Sequence, residues 1–231
     1  MTFAPDIPDV VPRVIAAANY TPMAARKPTL LILHVTENEP TAPAEAVAGF
    51  FAGQPVGGGT SAHVVSGGAG SVQCVPFASI AYSAPGANLQ GIHHELVGRV
   101  TQTWPQWLDS GVPQEAANVD AAILVWAQLP CVLVGAEDML AGMQGIGTHW
   151  DVTMAQRLAY TRGLTSSPFY PRPGHALGTH TDPWTPRGPL PDGQSFDLLA
   201  YLGMVQDVLP PDYLRPDPGI ERPKTGIGVD T

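Results

Sequence analysis

Apolar residues in this chain come in short runs cut apart by Gly and Pro, and the two spacings they follow predict its elements. Residues 30–37 read LLILHVTE, four apolar positions and then a histidine, the pattern of a buried strand that ends at a site. Residues 61–66 (SAHVVS) and 71–76 (SVQCVP) read as strands joined by GGAG into a hairpin. Residues 80–83 and 91–97 add a brief strand and a longer one. Helical spacing appears first in 42–52, where Val47, Phe50 and Phe51 form an apolar face, Thr41 stands at the cap and Pro43 is tolerated in the first turn. The longest helix is predicted over 114–129, with Ala117, Ala121, Leu124, Val125 and Leu129 on one face and Pro130 ending it.

Shorter helices are predicted over 136–140 and 153–163. A last one over 196–209 is capped by Ser195 and buries Phe196, Leu199 and Leu202. Residues 104–112, with two tryptophans, read as an irregular loop, and 164–177 as a Pro-rich surface loop. Residues 1–14 carry three prolines and read as an extended arm, with one helical turn over 14–18. Residues 210–231 read as a proline-punctuated acidic tail. The order β, α, ββ, β, α, α predicts an α/β fold: a mixed central β-sheet flanked by helices, in one domain over 15–209.

Composition sharpens this picture in a few places. A chain of 231 residues supports one substantial core, and 44% hydrophobic with 13% charged residues suits a folded soluble protein. The formal charge of -9 leaves no excess of Lys and Arg to neutralise phosphates, so no nucleic-acid partner is expected. No stretch approaches the ~20 apolar residues of a membrane span, and the first residues lack the basic-then-apolar pattern of a signal peptide. Cys74 and Cys131 make no CxxC pair and read as buried thiols, with a single bridge between them left open.

The candidate chemistry lies in the histidines. His34 closes the first strand. GIHHELVG (91–98), GIGTHWDV (145–152) and GTHTDPW (178–184) then supply an acid, a second histidine and a His–Asp pair. Two His and one carboxylate with an open fourth position form a catalytic zinc shell, which makes His34 the candidate first ligand. Each residue also has a plainer reading. A lone His beside an apolar run is more often a core residue, an Asp before Pro often starts a turn, and Glu95 could be an exposed residue on a half-buried strand.

LLILHVTE, SAHVVSGGAGSVQCVP, AYSAPGANLQGIHHELVG, GIGTHWDV and GTHTDPW occur in that order. Together they resemble the zinc-dependent N-acetylmuramoyl-L-alanine amidases of the type-2 amidase and peptidoglycan-recognition-protein superfamily, and endolysins of actinobacterial phages in particular. The resemblance spans residues 19–209. It implies Zn2+ held by His34, His149 and Asp182, with His175, in an insertion over 161–176, as the rival to His149. It implies Glu95, at the Glu of an I-G-I-E-L strand, as general base, and His180, two before the last ligand, as oxyanion stabiliser. Ala62 stands where some relatives carry a catalytic Tyr; relatives with Ala there rely on the Glu.

His63, Tyr82, His93 and Trp184 are the candidate substrate-binding residues, His93 because it shares a strand face with Glu95. The resemblance further implies peptidoglycan as partner, a monomer, and a phage endolysin that stays in the host cytoplasm until release onto the cell wall. Two other classes stay open. One is a catalytically inactive peptidoglycan-binding module, against which Asp182 counts. The other is a zinc peptidase cutting within cell-wall peptides.

Overall fold

The computed structural model describes residues 3–171 and 196–213. Eight strands occur among these residues: β1 (Arg13–Val14), β2 (Tyr20–Thr21), β3 (Leu30–Val35), β4 (Val64–Gly67), β5 (Gly70–Gln73), β6 (Ile80–Ala81), β7 (Gly91–Leu96) and β8 (Gly145–Thr148). Six form one sheet in the order β1-β5-β4-β7-β3-β8, while β2 and β6 pair apart from it. Only the β4–β5 hairpin is antiparallel within the large sheet; β3 runs parallel to both β7 and β8. This is the mixed sheet flanked by helices that the apolar pattern predicts.

Central placement explains why β3 is apolar along its whole length. Flanked by two strands and covered on both faces, it has no solvent-facing side. Leu31, Leu33 and Val35 join Ile92 and Leu96 in a core under α3 (Val112–Ala127) and α6 (Leu198–Val208). Leu30 and Ile32 point the other way, into a core under α4 (Ala136–Leu140) and α5 (His149–Thr161). A third cluster packs Val65 and Val72 against α1 (Ala44–Ala52). Register puts Glu95 beside His34 on one side and Val65 on the other, so α1 and α5 cover the same face of the sheet with a gap between them.

Several predicted boundaries move, each for a local reason. α1 starts at Ala44 with Pro43 as an extended N-cap, so Thr41 does not cap it. Residues 104–110 form helix α2 (Trp104–Ser110) instead of a loop. Thr103 and Gln106 close a capping box and proline stands in the first turn, where its missing N–H costs nothing. α5 begins at His149, four residues early, again on a capping box. α6 is capped by Asp197, and this start turns Tyr201 and Val205 inward while Leu199 is 73% exposed. Ser195 lies outside the described residues. The predicted helical turn over 14–18 gives way to strand β1, which pairs with β5.

Cys74 and Cys131 are both free and buried. Burial pushes the Cys74 thiol up to about 12 and the Cys131 thiol up to about 11, so neither is a nucleophile near neutral pH. Among the described residues no helix is long and apolar enough to cross a membrane.

Candidate active site

The carboxyl ends of parallel strands are where an open α/β sheet leaves a crevice for ligands. Three of the predicted residues stand there. His34 is the fifth residue of β3, its register partner on β7 is Glu95, and His149 directly follows β8. The capping box holds His149 at the first position of α5: Thr148 Oγ1 accepts the Asp151 N–H, and Asp151 Oδ2 accepts the Thr148 N–H at 3.0 Å. The T-x-x-D spacing of 148–151 is therefore what aims this imidazole.

The His34 and His149 rings lie 4.8 Å apart between centroids and tilt 57° from each other. His34 Nδ1 is 4.0 Å from Glu95 Oε1, and the Glu95 side chain keeps 15% of its surface exposed where His34 keeps 1%. A buried imidazole pair with a partly exposed carboxylate at its edge can hold a cation and move a proton to or from water beside it. Glu95 shares the face of Ile32 and His34, as strand alternation from His93 requires.

Behind His34 lies a row of further histidines. His34 Nε2 is 3.0 Å from His93 Nδ1, and the His93 ring stacks on His63 at 5.7 Å and 16°. His63 Nδ1 accepts the His93 backbone N–H at 2.9 Å, and His63 Nε2 lies 3.0 Å from Arg26 Nη2 and 3.2 Å from the Ser79 carbonyl oxygen. Both rings are wholly buried. His63 and His93, expected to border the substrate, lie in the interior behind His34. Burial, joined by the charge of Arg26, lowers His63 to about 3. His93 is held well below its ordinary value by burial first and then by its cationic and histidine neighbours.

Arg26 is a residue that sequence reasoning passed over. Its guanidinium, 7% exposed, donates to the carbonyls of Phe77, Asn88, Leu89 and Gly91, and burial lowers it to about 10. Its nearest carbonyl partners are more than fifty positions away in sequence, and no local signal announces them.

Tyr82, just past β6, is 37% exposed and its hydroxyl shares a hydrogen bond with Thr21 of β2. His175, His180, Asp182 and Trp184 lie outside the described residues. Among the described residues no group of three His, Cys, Asp or Glu side chains could hold a metal ion. Two members of the expected donor set, His34 and His149, do converge. Two neutral imidazoles with one more donor are the chemistry of an open zinc site, so the residues present fit the ion.

A mixed α/β sheet with donors gathered off the carboxyl ends of its parallel strands places this chain among the α/β proteins that bind ligands at that edge. Within that class the chain belongs to the N-acetylmuramoyl-L-alanine amidase family, whose model (Amidase_2) matches residues 24–159. Similar solved structures include PlyL, at 17% identity over 68% of this chain and 93% of that one, with a TM-score of 0.48. The Staphylococcus aureus hydrolase AmiA, solved with its ligand, shares 16% identity over 62% of this chain and 68% of its own, with a TM-score of 0.46. The catalytic domain of XlyA shares 16% over 68% and 95%, with a TM-score of 0.45. No curated protein sequence matches the chain.

Proposed function

We propose that the chain is a zinc-dependent amidase that hydrolyses the bond between the lactyl group of N-acetylmuramic acid and L-alanine in peptidoglycan. The observation that carries this reading is the meeting of His34, Glu95 and His149 at the ends of three adjacent parallel strands. The family match supplies the amidase activity. His34, His149 and Asp182 would hold the ion. When bound, zinc supplies a Lewis acid and makes water acidic enough to attack near neutral pH.

The protein's own groups do the rest. Glu95, at the mouth of the crevice, takes the proton of the attacking water and returns it to the leaving nitrogen, a role its partial exposure permits. His180 offers an N–H to the developing oxyanion; such a donor contributes about 3 kcal/mol where it has been removed elsewhere. Tyr82 and Trp184 flank the substrate. The biological role we assign is host lysis by a phage endolysin, held in the cytoplasm until a separate protein opens the membrane.

The test is digestion of purified peptidoglycan, read by mass spectrometry. Stem peptides beginning with L-alanine and intact glycan strands are expected, with loss of activity in chelator and recovery on adding zinc. Glu95→Gln should lower kcat by roughly 10²–10⁴ while zinc is retained. Asp182→Ala should lose zinc and activity together. Cleavage between amino acids, or undiminished cleavage in chelator, would overturn the reading.

A further inference from the structure

Each neutral imidazole has one N–H, and its position decides which nitrogen can bind a metal. His34 has one nitrogen on the crevice side: Nδ1 is the atom 4.0 Å from Glu95 Oε1. Its Nε2 points into the interior, 3.0 Å from His93 Nδ1. Ligation through Nδ1 needs that nitrogen bare and the proton on Nε2, which in turn needs an acceptor.

His93 is built to be that acceptor. Its backbone is bracketed by His63, which donates its N–H to the His93 carbonyl at 2.9 Å and accepts the His93 N–H on Nδ1. The ring lies over Gly91, where a Cβ would come within 2.9 Å of His93 Nε2 and 3.0 Å of Ile32 Cγ1, so only glycine leaves it room. The far nitrogen, Nε2, is buried and has no hydrogen-bond partner among the described residues. A buried polar atom left unmet costs stability. A leucine would avoid that cost in the same space. The ring is kept for its Nδ1 end, and that end touches His34.

We infer that His93 is a positioning residue for the metal site: its Nδ1 accepts the His34 Nε2–H, and this fixes His34 with a bare Nδ1 turned to the crevice. His63 holds the His93 backbone from both sides, and His93 sets the ligand. The inference rests on the zinc reading above and adds a residue to it. His93 touches neither substrate nor ion; it acts through His34.

Zinc affinity by competition with a chromophoric chelator, and the melting temperature of the metal-free protein, test this in two variants. His93→Leu removes the acceptor and the unmet nitrogen together. Its zinc Kd should rise about 10–100-fold, the usual effect of losing such an outer partner, while in the metal-free protein the removal of one unmet nitrogen offsets the His34 Nε2–H left without its acceptor and the melting temperature stays level. His93→Asn puts an amide oxygen where Nδ1 was and should keep the Kd within about threefold of wild type. Three results overturn the inference: wild-type affinity in His93→Leu, equal losses in both variants, or a melting temperature that falls along with affinity in His93→Leu. Wild-type protein that takes up no zinc overturns the zinc reading itself, and that measurement precedes any variant.

Discussion

At His63 burial and a neighbouring cation act on a single proton. Its folded pKa is about 3, lowered by burial first and by Arg26 second, against about 6.5 in an unfolded chain. The unfolded state therefore takes the proton first as pH falls. Its contribution to stability is complete above about pH 6.5 and is lost toward pH 3, by up to about 1.4 kcal/mol per pH unit. Urea midpoints should be level above pH 7 and fall between pH 6 and 4, and His63→Gln should flatten that slope by about one proton. Equal slopes in both proteins would mean that His63 is not the group responsible. A second residue prediction concerns the opposite face of the sheet. Asp120 accepts from His94 Nδ1 at 2.6 Å and from the Tyr201 hydroxyl, and all three are wholly or almost wholly buried. Burial and Asp120 also hold that hydroxyl well above its ordinary value. Asp120→Ala leaves two buried donors without an acceptor and should cost about 3–5 kcal/mol in denaturant unfolding. The same measurement on Val125→Ala, 44% exposed on α3, should shift by less than about 0.5 kcal/mol.

Elements bring these residues to the crevice, and caps decide where elements begin. His149 is aimed by the Thr148–Asp151 box, so Thr148→Ala should destabilise the protein by about 1 kcal/mol and also weaken zinc binding, because the first turn of α5 carries the ligand. Loss of stability with unchanged zinc affinity would show that packing, not the cap, positions the ring. The strands were largely legible: β3, the β4–β5 hairpin and β7 follow from apolar runs and the GGAG turn. Helix starts were less so. Two capping boxes, T-x-x-Q at 103–106 and T-x-x-D at 148–151, start α2 and α5 at positions that apolar spacing does not mark. Spacing with Phe196 and Leu202 predicts Leu199 inside, yet it is exposed and Tyr201 is buried. Tyr201 wins the buried position because Asp120 waits there for its hydroxyl.

Across the whole molecule the formal charge is -9, and the peptidoglycan proposed as substrate carries carboxylates of its own. Like charges repel over a distance that salt shortens, from about 30 Å at 0.01 M to about 8 Å at 0.15 M. Digestion of insoluble cell walls should therefore run faster at 0.15 M salt than at 0.01 M, while hydrolysis of a small soluble muropeptide should change little. A rate on walls that falls with salt would point instead to attraction by a local basic surface.

What the linear order of residues determined was the α/β class, the central strand ending in His34, and the motifs that bring Glu95 and His149 to it. The class and the strand rest on local periodicity, which a chain carries before it folds, while Glu95 and His149 follow only from the resemblance of their motifs to those of the family. What only the tertiary structure decided was what stands behind the ligand. His34 meets His93 across 59 positions, and Arg26 closes on the Gly91 carbonyl across 65. Parallel pairing joins strands distant in sequence, so the partner of each imidazole follows from register and burial, which local spacing does not specify.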